Sequence, residues 1–402
     1  MKFDIRISNA KTRDSQGKNM QIGIAGGTIL KIAEKLNGEA RQEIDAKGNL
    51  VSESFVNGHL HLDKVYTLEM VGQDALNSYH GEGMGGAMTA IEQASRVKDT
   101  YDESWIIENV RRAALLAVKY GNTHIRAFAD VDTKGKLEGV KALIKAREEF
   151  KDRVEIQIVA FPQDGIIRDP GAAEYVEEAL KLGADVVGGI PWIEFTDEDT
   201  RSHVDQMIQL AVKYNKPVSM LVDDAGDPNL RTIEYLAVQA IKNGLFGKVT
   251  AQHARAMALY PEPTYRKLEA LLLKSGMGLV SNPHTGPLHA RVKDLYAAGV
   301  PVALAQDDIA DAYYPFGRNN MLEIGFLAVH LLWMTGFEQM EKIYDMITTK
   351  AALALGIKGH ELKEGNPANL VVLKQENVWK ALLEHEAPAY VIKSGKDITL
   401  ID

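Results

Sequence analysis

The chain has 402 residues, 46% hydrophobic and 25% charged, with a net charge of −9 and no cysteine. This is globular composition with ample core, and the acidic balance argues against nucleic acid or an anionic membrane as the main partner. Without cysteine there can be no disulfide, thiolate nucleophile or thiolate metal site.

The start, Met1-Lys2-Phe3-Asp4-Ile5-Arg6, lacks a charged-then-apolar signal pattern, and no apolar run approaches the 18 residues of a membrane span. The expected location is the cytoplasm. Short strands are predicted at 3–8, 20–25 and 28–32, the last two separated by Gly26-Gly27. Similar pieces recur at 369–373, 389–393 and 398–400. Neither terminus holds enough strands for a stable sheet, so both together are expected to build one small β domain, residues 1–53 and 363–402.

Between them, apolar β-rich runs alternate with amphipathic helical stretches. Strands are predicted at 55–60, 123–131, 154–161, 184–190, 217–222, 249–253, 278–281 and 300–305. Helices are predicted at 106–120, 137–150, 171–182, 204–214, 230–243, 263–275, 320–333 and 339–355. Eight strands at roughly 30-residue spacing predict an α/β fold, a (β/α)8 TIM barrel over residues 54–362, with a small β-sandwich domain from the termini. Strands covered on both faces read as continuous apolar runs, as these do. The alternative, a doubly wound open sheet, is disfavoured because no Gly-rich phosphate loop follows an early strand.

Barrel active sites lie at the C-terminal strand ends, and the polar residues of interest fall there. His59 and His61 close the first barrel strand. Residues two apart on a strand point the same way, so both imidazoles can meet one ion. His253 closes the sixth strand and Asp307-Asp308 follows the eighth. A plain hydrogen-bonded barrel mouth does not need two adjacent carboxylates. Imidazole and carboxylate ligands suit one divalent Zn, Fe or Mn ion and do not choose among them. The chemical logic is a metal-activated water, with Asp307 as ligand and base. Asp224, after the fifth strand, is placed to protonate a leaving nitrogen.

The chain resembles the amidohydrolase superfamily, and within it the cytosine deaminases and the isopropylammelide-type triazine aminohydrolases. The resemblance covers nearly the whole chain. It is carried by Gly58-His59-Leu60-His61-Leu62-Asp63-Lys64, by 159–165 (VAFPQDG), by 183–191 (GADVVGGIP), by 249–253 (VTAQH), and by Asp307-Asp308 with Tyr314-Pro315-Phe316-Gly317. It implies that His59, His61 and Asp307 bind one catalytic metal and that His253 touches the activated water or the substrate carbonyl. It further implies that Asp224 shuttles the proton where those enzymes have Glu, that Gln163 and Asp308 contact substrate, and that Tyr313 packs on the ring. It leaves open a homo-oligomer.

Three departures fall at the site. Leu221 stands where a strand-five His is normally a metal ligand, Asp224 is one methylene shorter than Glu, and Gln306 replaces a His beside the ligand Asp. Two explanations compete. Asp223, two positions after Leu221, supplies an oxygen ligand to a rebuilt site, or catalysis has decayed and left a heterocycle-binding protein. The expected function is metal-dependent hydrolysis of a C–N bond in a small nitrogen heterocycle, with cyclic amide hydrolysis as a further alternative. The partner is then a small-molecule substrate.

Several further residues are weighed against ordinary roles. The Gly-rich stretch around His80 reads as a lid or as a surface loop. His284 and Arg318 are weaker substrate-contact candidates, and Trp192 reads as packing that could reach the site. His124, His203, His330 and His360 read as core or surface histidines, Trp333 as packing, and Glu323 as helix surface.

Overall fold

The computed structural model describes residues 2–71, 91–92 and 94–400. The stretch around His80 lies outside the described residues. Eight parallel strands form the central sheet: β6 (Phe55–His61), β7 (Asn122–Asp130), β8 (Glu155–Phe161), β9 (Val186–Gly189), β10 (Val218–Val222), β11 (Val249–His253), β12 (Gly278–Ser281) and β13 (Val302–Leu304). They pair in simple chain order from β6 to β13. The helices Glu103–Lys119, Glu138–Phe150, Ala172–Leu182, Asp197–Tyr214, Thr232–Lys242, Glu262–Ser275 and Val292–Ala298 cross between successive strands. The fold is the predicted (β/α)8 barrel.

The sheet closes where β13 meets β6, and two short segments do the work. At the upper end the Asp307 amide donates to the His59 carbonyl and the His61 amide donates to the Asp307 carbonyl, both at 2.9 Å. At the lower end the Leu304 amide donates to the Met346 carbonyl at 2.8 Å, and the Val56 amide to the Ile347 carbonyl at 3.0 Å. This explains a difference from the sequence expectation. The single helix expected over 339–355 is two, Phe337–Asp345 and Thr349–Ala354. Carbonyls 346 and 347 are spent on the barrel seam and cannot continue an i→i+4 ladder.

The termini add two four-stranded sheets. One orders as β3 (Thr28–Ala33), β2 (Met20–Ala25), β1 (Lys2–Ala10) and β4 (Glu39–Asp45), and the other as β16 (Lys396–Asp397), β15 (Tyr390–Lys393), β14 (Leu370–Val372) and β5 (Val51–Glu53). Ile5, Ile7, Ile22, Ile44, Leu370 and Ile392 fill the space between them. The sequence reading missed β4. Glu39–Asp45 has one buried residue, Ile44, so its period-2 signal is hidden, and pairing with β1 decides it. The expected strand at 398–400 is absent, and Ile398 and Leu400 instead pack on the barrel core. Among the described residues no helix is long and apolar enough to cross a membrane.

At the lower end His360 is buried, its Nε2 2.8 Å from the Ser54 carbonyl and its ring 5.1 Å edge-on from His124, with Lys393 and Glu155 beside His124. Burial, then His124, pushes its pKa down to about 3. The unfolded imidazole binds a proton near pH 6.5, whereas the folded one resists it. The stability this contributes is therefore complete above about pH 6.5 and is lost as pH falls toward 3. Urea unfolding between pH 6.5 and 4 should show the chain losing up to about 1.4 kcal/mol per pH unit more than His360→Gln. A stability difference between the two that does not change with pH would sink this assignment.

Candidate active site

The upper rim of the barrel gathers the predicted polar residues. His59 and His61 point inward from β6, as their spacing requires, over Phe128 and Phe161. Their Nε2 atoms lie 3.2 Å apart. Asp307 Oδ1 stands 3.1 Å from His59 Nε2, 3.6 Å from His253 Nε2 and 4.0 Å from His61 Nε2. His59, His253 and Asp307 form one group whose ligand atoms all lie within 4.8 Å, and His61, Asp307 and Asp308 form another. His253 and Asp307 both hold left-handed backbone, with φ of 63° and 70°. Such conformations cost non-glycine residues on the order of 1–3 kcal/mol and persist where surrounding bonds over-determine them.

Neighbours fix the His59 and His253 imidazoles. Gln252 Nε2 donates to Ser219 Oγ at 2.8 Å, which turns its Oε1 to His59 Nδ1 at 2.9 Å. His59 Nδ1 is then the donor, and its Nε2 lone pair faces the cluster. Arg255 does the opposite at His253. A guanidinium only donates, and Arg255 Nη2 lies 3.3 Å from His253 Nδ1, so that nitrogen accepts and the proton sits on Nε2. Burial, the largest cause, pulls both His253 and His61 below the ordinary imidazole range. Burial alone would raise Asp307, but His253, His59 and His61 outweigh it and hold the carboxyl well below its ordinary value. Thr285 Oγ1 lies 2.7 Å from Asp307 Oδ2 and fixes the carboxylate plane.

The His59 and His61 imidazoles and one ionised carboxylate oxygen, all buried, are the kind of donor set a divalent cation takes. His59, His61 and Asp307 fit that group.

A pocket opens above the cluster. His61, His253, Asp307, Asp308, Asp224, Arg255 and Gln163 make its polar side, and Ile91, Ile190, Trp192, Leu221 and Tyr313 its less polar side. Lys64 Nζ donates to Gln163 Oε1 at 3.1 Å, so Gln163 offers its NH2 to the pocket. Asp308 is pushed well above the ordinary carboxyl range by burial, then by Asp307 and Asp311, which favours the protonated acid. The Tyr313 ring packs with Trp192 and Leu221 on the apolar side.

Asp224 reaches the pocket edge, but in an ion pair, its Oδ1 2.5 Å from Arg255 Nε. Asp223 is not brought to the cluster. Its backbone is left-handed, φ 50°, which breaks the strand alternation that would have aimed it beside Leu221. Its carboxylate instead accepts from the Thr232 and Ile233 amides at 2.8 and 3.0 Å, at the start of the helix Thr232–Lys242. The place expected for an oxygen ligand is therefore held by Leu221, packed among Phe128, Phe161 and Ile190.

Gln306 bonds the Asp308 carbonyl through Nε2 and the Asn319 amide through Oε1, so it shapes the Asp307-Asp308 loop. His284 Nε2 lies 3.1 Å from the Gln306 carbonyl and braces the same loop. Arg318 is paired with Glu323 at 2.8 Å and lies outside the pocket lining, so it does not reach a substrate there. Trp333 is 78% exposed, contrary to the packing expected of it. His203 is buried and bonded, and His330 is exposed.

Sequence reasoning missed Arg255, Thr285, Lys64 and Asn57. Arg255 follows His253 by two, but Ala254 is left-handed and the strand has ended, so spacing gave no signal. Asn57 accepts from the His59 and Gln306 amides through Oδ1 and immediately precedes the first motif, which was read for its histidines.

Comparison with known proteins agrees with this geometry. The chain matches the model described as "Amidohydrolase family" over residues 42–398. It is 32% identical to N-isopropylammelide isopropyl amidohydrolase of Pseudomonas sp. (strain ADP), over 98% of this chain and 97% of that one. It is 25% identical to pterin deaminase of Rhizobium rhizogenes, over 94% and 87% of the two chains. Among solved structures it is similar to 5-methylcytosine deaminase from Klebsiella pneumoniae liganded with 5-fluorocytosine. The TM-score there is 0.90 at 31% identity, covering 99% of this chain and 98% of that one.

Two substitutions probe the cluster through metal affinity, read by competition with a fluorescent chelator. Gln252→Leu removes the partner that orients His59 and should weaken Zn²⁺ binding about 10- to 100-fold. Leu221→His adds a nitrogen at the apolar wall and should strengthen binding at least about tenfold. Unchanged affinity in the second variant would mean that the pocket is organised around a different ligand set.

Proposed function

The chain belongs to the amidohydrolase family, hydrolases of C–N bonds other than peptide bonds, and on that premise we propose that it removes ammonia or an amine from a small nitrogen heterocycle. The observation that carries this is the convergence of His59, His61, His253 and Asp307 beneath a pocket with one polar and one apolar side. In the reaction water adds to an sp² ring carbon, and the exocyclic C–N bond breaks as a proton reaches the departing nitrogen.

His59, His61 and Asp307 would hold one divalent ion, zinc, iron or manganese. When bound, that ion supplies Lewis-acid polarisation and makes water more acidic. The chain's own groups do the rest. Asp307 Oδ1, the oxygen that faces the histidines, takes the proton of the attacking water. His253 offers its Nε2 proton to the substrate atom on which charge develops. Arg255 holds that tautomer and fixes Asp224, the carboxylate at the pocket edge that in turn takes up the proton released from water and hands it to the leaving nitrogen. Gln163 donates its NH2 to an acceptor on the ring edge, and Asp308 as a protonated acid donates to a second. Trp192, Leu221 and Tyr313 cover the apolar faces of the ring and exclude water.

The test is direct. The protein is loaded with Zn²⁺, Fe²⁺ or Mn²⁺ in turn and given N-isopropylammelide, 5-methylcytosine and pterin. Released ammonia or isopropylamine and the hydroxylated product are measured. Turnover of at least one is expected, with kcat reduced about 10²- to 10⁴-fold in Asp307→Asn. Tight heterocycle binding without product would identify a binding protein instead. Ring-opened product would identify a cyclic amide hydrolase.

A further inference from the structure

Two neighbouring loops carry lining residues of the pocket proposed above to hold the heterocycle. One follows β8 and holds Gln163, and the other follows β9 and holds Ile190 and Trp192. Both are tied to one buried pair, Glu194 and His203, whose side chains are 0% exposed. Glu194 Oε1 accepts from the Ile166 amide at 2.7 Å and the Ile167 amide at 3.2 Å, and Oε2 accepts from the Arg168 amide at 3.0 Å. His203 Nδ1 lies 2.7 Å from Glu194 Oε1, and the Ile190 amide donates to His203 Nε2 at 3.3 Å. The imidazole is therefore neutral, with its proton on Nδ1.

This is more than the fold needs. Loop amides ordinarily bond to water. Here three consecutive ones converge on a single buried anion, and the anion's fourth partner reaches across to the next loop. Burial acts against ionising Glu194, but His203 and the amides outweigh it and keep its pKa below the ordinary carboxylate value. The sequence is fitted to the cradle. Gly165 has φ +85°, and a Cβ there would stand 2.9 Å from Glu194 Oε1, inside contact distance. His203 sits within the helix Asp197–Tyr214, so both loops are anchored to one rigid element.

We infer that Glu194 and His203 are positioning residues that hold the Gln163 loop and the Ile190–Trp192 turn at a fixed separation, and so set which ring the pocket accepts. Neither touches the reacting atoms. The substrate side of the inference rests on the proposed deaminase reading, while the clamp itself does not.

Hydrogen exchange on the full chain separates the two. In Glu194→Gln the amides of 163–168 should exchange about tenfold faster, with β8 and the helix Asp197–Tyr214 unchanged. In His203→Asn, which keeps a donor near the Nδ1 position but no acceptor for the Ile190 amide, the change should centre on 190–193. KM for whichever of the three heterocycles is turned over should rise about tenfold in each variant, with kcat within about threefold. Uniform faster exchange across the barrel with KM unchanged would mark an ordinary stability contact and overturn the inference, as would unchanged exchange. If the unsubstituted chain turns over none of the heterocycles, the proposed function fails, yet the exchange pattern still decides whether the clamp exists.

Discussion

Everything at the mouth of this barrel depends on the seam at Asp307. A closed sheet must pair its first strand with its last, and β13 is short, ending at Leu304. Three residues later the chain still bonds β6, with Asp307 donating to His59 and accepting from His61. The backbone contact that completes the barrel thus also sets the spacing of the three side chains that would hold a metal. Asn57 and Gln306 reinforce it from within the wall, and Thr285 fixes the carboxylate from the neighbouring loop. A left-handed Asp307 is tolerated because both its amide and its carbonyl are committed to the partner strand.

Arg255 organises the other side. A buried guanidinium needs acceptors, and this one takes Asp224, His253 and Thr285 together. The same cation therefore sets the His253 tautomer and restrains the shortened acid Asp224. Leu221 joins an apolar wall with Ile190 and Phe161. The pocket is thereby polarised, with hydrogen-bonding groups on one side and apolar surface on the other. That division suits a flat heterocycle with a substituted edge.

Behind Gln163 lies a network of buried charges. Lys64 pairs with Asp130, and Lys98 with Asp130, Asp132 and Asp164. Isolated ions at such depth would be prohibitive, and they are retained here as a mutually bonded set. Its effect on the site is to hold the Lys64 ammonium against Gln163, which decides the end of the amide that faces the pocket.

The sequence by itself determined the architecture. Continuous apolar strands, amphipathic helices and glycine turns repeat often enough that eight barrel strands and most helices were legible, because period and burial are local properties. It also marked His59, His61, His253 and Asp307, because residues at the ends of apolar strands come to the barrel rim whatever the loops do. Tertiary structure alone decided what surrounds them. Asp223 was expected at the metal because of its spacing from Leu221, yet a left-handed backbone turned it toward a helix start. Thr285 and Lys64 carry no local signal, since their roles arise from partners 22 and 99 residues away, and Arg255 is held by Thr285 from 30 residues on. The helix expected over 339–355 broke because residues 346 and 347 were needed at the seam. Local patterning fixes which face of an element is buried, but the orientation of a polar side chain past a strand end is set by the hydrogen-bond partners that only folding supplies.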